Sequence, residues 1–286
     1  MTKVAVITGG ASGMGLAVAK ALAESGGWNV HLLDINEERG IQAAKELPNA
    51  SFHKTDVNQY SSLATTFKTI FIDSGRLDFV FANAGVIERK NFYARHPEGA
   101  DPPPEPDQLS IDVDLKGVIS TSYLALHYFR QSPGKGQGAS LVMTASCGGL
   151  YPSYYSPLYS AAKHGVVAFM RSIASHFRLD GIRVNAICPT IVQTNLLHKA
   201  GWANFPQYLF IPAESIEKVV LLLIDGQDMV DANGKEVPAA ETYGRAVEMS
   251  GANYYFREQP EYCDDEMRQV MTATVLENQV GGVLTS

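Results

Sequence analysis

Tyr159 and Lys163, in the run Tyr159-Ser160-Ala161-Ala162-Lys163, are four residues apart, and Ser146 lies thirteen residues before the tyrosine. On a helix, residues four apart share a face. The Lys163 ammonium can therefore stand beside the Tyr159 phenol. A free phenol titrates near pH ~10 and is a poor base at neutral pH. A fixed cation favours phenolate, and lowering the phenol pKa by about 3 units takes roughly 4 kcal/mol of differential stabilisation. The spacing predicts a tyrosine of lowered pKa that takes a proton from an alcohol or returns one to a ketone. Such chemistry needs a hydride carrier opposite the phenol.

The start of the chain has the pattern to hold one. Val4-Ala5-Val6-Ile7 reads as a strand buried on both faces. Gly9, Ser12, Gly13, Met14 and Gly15 follow, and then the helical run Leu16 to Ala23. Strand, glycine turn and helix together make a phosphate site plausible where glycines alone do not. The glycines let the backbone approach a pyrophosphate, and the helix N-terminus offers free N–H groups and a partial positive charge. Asn29 to Leu33 reads as the next strand, ending in Asp34 beside Ile35. Asp34 falls nineteen residues after Gly15, close to the ~20 expected of an acid that binds an adenosine ribose. A carboxylate accepts both ribose hydroxyls and repels a 2′-phosphate, so NAD is expected rather than NADP. The bland alternative is that Asp34 opens its own turn and caps the next helix. Arg39 could swing toward a phosphate, although a solvated helix position suits it better.

Seven strand patterns (3–8, 28–33, 51–55, 77–82, 139–145, 182–188, 245–249) alternate with helical ones near 14–25, 37–47, 59–73, 106–131, 158–179 and 213–225. The alternation predicts an α/β fold, a doubly wound parallel seven-stranded sheet with helices on both faces. Ligands in such sheets bind at the carboxyl ends of the strands. The 286 residues suit one domain over 1–250 with a C-terminal extension, 251–286. Lys and Arg number 23 against 30 Asp and Glu, for a net charge of −7. No basic stretch points to nucleic acid or an anionic membrane. The longest aliphatic run, Val219 to Ile224, is too short to span a bilayer. The first strand begins almost at once after Met1, which leaves no room for a signal peptide. Cys147, Cys188 and Cys263 have no metal spacing, so free thiols, no metal and a cytoplasmic location are expected.

Taken together these residues resemble the short-chain dehydrogenase/reductase family, whose sheet is of the Rossmann type, from about residue 3 to about 250. The resemblance rests on Thr8 to Gly15 for the glycine turn, Asp56-Val57 and Asn83-Ala84-Gly85. It also rests on Ser146, Tyr159 and Lys163, and on the segment opening at Pro189. It implies that Asp56-Val57 lies against the adenine and Asn83-Ala84-Gly85 closes the cofactor floor. Pro189, Ile191, Val192 and Thr194 would hold the nicotinamide carboxamide. Runs such as Arg183 to Pro189 are most similar to NAD-dependent hydroxyprostaglandin dehydrogenases, which implies a lipophilic secondary alcohol. Two residues depart from the pattern. Asp114 stands where the family commonly has Asn, in support of a water relay to the lysine. Asp adds a negative charge that would hold Lys163 protonated and partly offset its effect on Tyr159. Thr190 stands where Gly is usual.

The resemblance implies general base catalysis by Tyr159, with Ser146 and Lys163 in support, and a substrate lid at about 190–215. Tyr151, Tyr155, Ser156, Leu197 and Trp202 are candidates for an apolar substrate pocket, and packing in a core or subunit contact is the competing account of the aromatics. A redox-neutral isomerase, dehydratase or cyclase and a non-catalytic NAD-binding regulator remain the rival functions. A homodimer or homotetramer is expected through the helices at 106–131 and 158–179. Their Leu124, Leu126, Phe129, Val166, Phe169 and Ile173 exceed what the sheet face needs, unless all of them turn to the sheet. In the tail, Asn253 to Tyr262 is expected to be ordered against the body and Met267 to Val275 to form a short helix. Disorder is the default for a terminus.

Overall fold

Val4-Ala5-Val6-Ile7 divides its side chains between two cores. Val4 and Val6 join one buried cluster, and Ala5 and Ile7 join the other. A strand covered on both faces behaves this way, because successive side chains point to opposite sides of the sheet. The structure, a computed structural model, describes residues 2–99, 102–194, 205–275 and 278. Strands β1 (Lys3–Thr8), β2 (Trp28–Asp34), β3 (Ala50–Lys54), β4 (Phe79–Ala82), β5 (Ser140–Thr144), β6 (Arg183–Pro189) and β9 (Ala246–Ser250) pair in parallel. Between β6 and β9, β7 (Met229–Val230) and β8 (Glu236–Val237) make a small separate hairpin.

Helices α1 (Gly13–Ser25), α2 (Glu37–Glu46) and α7 (Ala213–Asp225) supply Val18, Leu22, Ala43, Val220 and Leu223 to one core. Helices α3 (Tyr60–Ser74), α5 (Gly117–Gln131) and α6 (Pro157–Leu179) supply Leu63, Phe67, Phe129, Val166 and Met170 to the other. Helix α5 continues from the short α4 (Leu109–Ile111) through a π-helical turn, Asp112–Lys116. There the Gly117 N–H reaches back five residues to the Asp112 carbonyl. Such turns insert one residue into a helix and are frequent at functional sites.

The sheet has eight strands, in the order β10-β9-β6-β5-β4-β1-β2-β3, one more than the sequence pattern predicts. The extra strand, β10 (Asn253–Arg257), returns from β9 through Gly251-Ala252. A connection this short permits only antiparallel pairing. Phe256 of β10 is 6 % exposed and belongs to the second core. The chain divides into two compact units, Met1–Phe256 and Arg257–Ser286, so the first unit extends past residue 250. The second unit carries α8 (Asp265–Ala273), capped by the Asp264 carboxylate, which accepts the Met267 N–H at 2.7 Å.

Leu124, Phe129 and Val166 are consumed by the core, and Leu126, Phe169 and Ile173 pack partly against it. The surplus apolar surface of α5 falls instead on the exposed Ile119 and Tyr123. No helix among the described residues is long and apolar enough to cross a membrane.

Candidate active site

The chain lays down β1, β2 and β3 outward in one direction, then returns to place β4 on the other flank of β1. Reversals of this kind open a crevice at the strand ends where ligands bind. Here the crevice is a cavity of about 390 Å³. Asn83, just after β4, ties its floor together. Its backbone N–H donates to the Thr8 hydroxyl (2.9 Å), its amide to the Thr8 carbonyl (3.2 Å), and its Oδ1 accepts from the Thr144 hydroxyl (3.0 Å). One side chain thus fixes the ends of β1, β4 and β5.

At one end of the cavity lie Gly9, Ser12, Gly13, Met14, Asp34, Ile35, Asp56 and Val57. Gly9 has φ +64°, and a Cβ there would sit 2.9 Å from the Ala84 Cα. Gly15 lies one turn into α1 rather than on the cavity wall, and its role is close packing. A Cβ on Gly15 would be 2.3 Å from the Gly9 carbonyl oxygen. Asp34 Oδ2 accepts the Ala11 N–H (3.1 Å) and Oδ1 accepts the Asn36 N–H (3.0 Å). The carboxylate therefore joins the glycine turn to the turn after β2. The cap of α2 is Asn36, which accepts the Arg39 N–H at 3.0 Å, and Arg39 is exposed on that helix.

At the other end Ser146, Tyr159, Lys163 and Asp114 converge. Ser146 follows β5, and its Oγ accepts the Gly148 N–H at 3.1 Å. Ser146 and the Tyr159 phenol line the same cavity, and Ser146 is among the influences that lower the phenol's titration. Lys163 Nζ is 5.6 Å from the Tyr159 ring centre and donates to the Thr144 carbonyl at 2.9 Å. Asp114 sits in the π-turn, where its Oδ1 accepts the Val86 N–H at 2.7 Å. Its Oδ2 is 3.5 Å from Lys163 Nζ. Burial raises the Asp114 pKa, against the lowering influence of Lys163 and the Val86 N–H.

The Tyr159 phenol corrects the expectation from spacing. Its pKa is raised, not lowered. Burial is the largest cause, and Asp114 and Cys147 add to it, against the lowering influence of Lys163 and Ser146. Spacing along a helix shows the cation. It does not show that the phenol is desolvated or that a carboxylate stands behind the cation.

Ala84, Gly85, Pro189, Val192 and Thr194 also line the cavity, whereas Ile191 bridges to Phe210 instead. Tyr151, Tyr155 and Ser156 lie off it. Tyr151 donates its phenol to the Glu248 carboxylate at 3.2 Å. Tyr155 is 67 % exposed, and the buried Ser156 stands at the N-cap of α6, bonded to the Ser153 hydroxyl at 2.7 Å. Leu197 and Trp202 lie outside the described residues. The cavity walls also include the apolar Val86, Leu109, Val113 and Val192, and Arg89. Among the described residues no group of three or more His, Cys, Asp or Glu is placed to hold a metal ion.

Glu88 is a site residue that the sequence gives no reason to single out. Its Oε2 accepts the N–H groups of Leu158 (2.8 Å) and Tyr159 (3.1 Å). Ser156 supplies no side-chain cap to α6, so a carboxylate from the loop after β4 caps the helix that carries Tyr159 and Lys163. Only the pairing of such loops in space reveals it.

The chain matches the family model described as short chain dehydrogenase over residues 3–203. It belongs to that family. The short-chain dehydrogenase/reductase prx7 of Penicillium rubens is 59 % identical over 280 residues, covering 95 % of this chain and 99 % of the relative. Human 15-hydroxyprostaglandin dehydrogenase [NAD(+)] is 36 % identical over 216 residues, covering 72 % and 75 %. Among solved structures, levodione reductase superposes with a TM-score of 0.70 at 25 % identity, covering 88 % of this chain and 97 % of that one. A 3-ketoacyl-(acyl-carrier-protein) reductase from Brucella melitensis, complexed with NADH, shares the fold with a TM-score of 0.71.

Short-chain dehydrogenases are oxidoreductases that bind a nicotinamide cofactor, and the residues present here fit one. Ser12 at the N-cap of α1 makes no side-chain cap bond, and the first turn of α1 holds no acidic residue. That helix end is therefore open to an anion beside the cavity. At the far end the Thr190 hydroxyl is buried without a hydrogen-bond partner on the cavity wall.

Proposed function

We propose that the chain transfers hydride between a lipophilic secondary alcohol, or its ketone, and NAD. The observation that carries this reading is one cavity with Asp34 at one end and Ser146, Tyr159 and Lys163 at the other. A bound nicotinamide supplies the carbon that takes or gives hydride and, when oxidised, a positive charge. The chain supplies the rest. Ser146 and Tyr159, on the wall of the same cavity, present two hydroxyls to one substrate oxygen. Tyr159 takes that oxygen's proton in oxidation and returns it in reduction. Lys163, anchored to the Thr144 carbonyl, steadies the phenolate and is the side chain placed to reach the nicotinamide ribose. The α1 N-terminus and the glycine turn hold the pyrophosphate, and Asp34 takes the adenosine ribose hydroxyls.

The walls Val86, Leu109, Val113 and Val192 support an apolar substrate. The name of the human relative, a hydroxyprostaglandin dehydrogenase with NAD(+), supports both the lipophilic alcohol and the cofactor. In this reading the chain works as a homodimer or homotetramer, with the exposed Ile119 and Tyr123 of α5 at the contact. Sedimentation as a monomer at micromolar concentration contradicts that part.

The decisive assay offers NAD⁺ or NADP⁺ with a panel of lipophilic secondary alcohols. Net NADH formation, with NADP⁺ much poorer and the gap narrowed in Asp34→Ala, is the expected result. Substrate conversion without net NADH points to a redox-neutral enzyme. Equal affinity for the two cofactors removes the case for Asp34.

A further inference from the structure

The Asp114 carboxylate and the Lys163 ammonium are both withdrawn from water, at 0 % and 3 % side-chain exposure, and lie 3.5 Å apart. The carboxylate is not needed for its one hydrogen bond. An asparagine carbonyl would accept the Val86 N–H that Oδ1 accepts at 2.7 Å equally well. Oδ2 has no hydrogen-bond partner of its own. What the carboxylate adds is charge. A cation with an anion this close acts on a more distant group as a dipole rather than a full charge, and the difference is large where water is excluded.

The groups bearing on the phenol come from every side. Lys163 is on its own helix, Ser146 and Cys147 are in the turn after β5, and Asp114 is in the π-turn. Glu88 is at the start of α6, bonded to the Tyr159 N–H. Glu248 on β9 faces Cys147. Arg89 also lines the cavity, but Lys163 is the cation that acts on the phenol, and it is the one that Asp114 pairs.

We propose that Asp114, paired with Lys163 out of water, offsets part of the Lys163 charge as Tyr159 experiences it, and that the site serves first as a proton donor to a ketone. The inference rests on the dehydrogenase reading and gives it a working direction. In that direction the carbonyl carbon receives hydride from reduced nicotinamide and the carbonyl oxygen receives the Tyr159 proton. A proton from solvent then restores the phenol. Ketone, reduced nicotinamide and one proton become alcohol and oxidised nicotinamide. The upward direction of the phenol's titration, with Asp114 among its causes, agrees.

The test replaces the charge and keeps the acceptor, with Asp114→Asn and, as a second uncharged variant, Asp114→Ser. Tyrosine labelled at the ring ζ-carbon is titrated by NMR in the wild type and both variants, with Tyr159→Phe to assign the signal. The Tyr159 midpoint falls by at least ~0.5 unit in the uncharged variants if Asp114 opposes Lys163. In the wild type, ketone reduction holds its rate through neutral pH while alcohol oxidation climbs toward alkaline pH. Both profiles move down by the same shift in the variants. A Tyr159 midpoint that stays or rises on removal of the charge overturns the proposal. A lowered midpoint with no turnover of any alcohol or ketone overturns the dehydrogenase reading and leaves the charge assignment standing.

Discussion

Tyr159 presents one oxygen to the cavity, and its ring packs against the turn at Gly148, where an added Cβ would meet the ring at 3.4 Å. Phenylalanine keeps that ring and removes the oxygen. Tyr159→Phe is therefore expected to lower kcat by roughly 10²–10⁴-fold, the usual worth of a positioned acid or base, while the NAD dissociation constant stays nearly unchanged. Steady-state kinetics and a fluorescence titration separate the two. Near-normal turnover would mean that the proton travels by another group. Glu88 acts differently, through the helix it caps. Glu88→Ala leaves the N–H groups of Leu158 and Tyr159 without their acceptor, and loss of a helix cap costs about 0.5–2 kcal/mol. Both the thermal midpoint and kcat should fall, because the same first turn carries Tyr159. Glu88→Gln keeps an acceptor oxygen and should recover most of each. If glutamine is as damaging as alanine, the charge rather than the cap is what matters.

The elements show why some of the fold can be read from sequence and some cannot. Strands β1, β4, β5 and β6 are buried on both faces, so their apolar runs are plain, and glycine or polar turns punctuate them. β10 is different. Asn253-Tyr254-Tyr255-Phe256-Arg257 is an edge strand with only Phe256 buried, and its aromatics mark order without marking strand. The hairpin of β7 and β8 has two residues on each side, too few for a period of two to register. The π-turn at Asp112–Lys116 leaves no trace in composition. Ser146, Tyr159, Lys163 and Asp34 are legible because their types and spacing along the chain form a recognisable pattern. Glu88 is not, because its partners lie 70 and 71 residues away.

Pairing of β2 with β3 also brings together His31 and His53, with Nδ1 of the first 3.0 Å from Nε2 of the second. Burial and then the charge of His53 lower the His31 pKa to about 4, against the opposing influence of Asp73. Burial lowers His53 too, again against Asp73. Between the unfolded value of 6.5 and about 4, the unfolded chain therefore binds more protons at His31 than the folded one. Stability is full above that window and is lost as pH falls through it, by at most about 3.5 kcal/mol from this residue at ~1.4 kcal/mol per unit. Urea unfolding at several values across the window should show the loss, and His31→Leu should flatten it. An unchanged slope in the variant assigns the acid sensitivity to other groups.

At the scale of the whole molecule, the end of the first unit is set by what holds β10. The Phe256 N–H donates to Asp231 Oδ2 at 3.0 Å, and the Ala232 N–H donates to the Tyr254 carbonyl at 3.0 Å. Asp231 also accepts the Asn233 (2.9 Å) and Lys235 (3.0 Å) N–H groups, so it closes the β7–β8 turn and ties that turn to β10. The tail expected to begin at residue 251 thus contains two different things. Residues 253–256 complete the sheet, and residues from Arg257 onward form the second unit. Helix α8 within it has no buried residue and exposes Met267, Val270 and Met271 along one side. A chain ending after Arg257 should keep its thermal midpoint and NAD affinity. A chain ending after Ala252 loses Phe256 from the core, where removal of a buried phenyl ring costs about 3–5 kcal/mol, and bares the edge of β9. Its midpoint should drop by well over 5 °C, since ~1 kcal/mol is worth about 2–4 °C in a domain of 150–250 residues. Paired melting curves of the two truncations decide the matter. If the chain ending after Arg257 melts as low as the chain ending after Ala252, the boundary at Phe256 is misplaced and the second unit carries part of the stability.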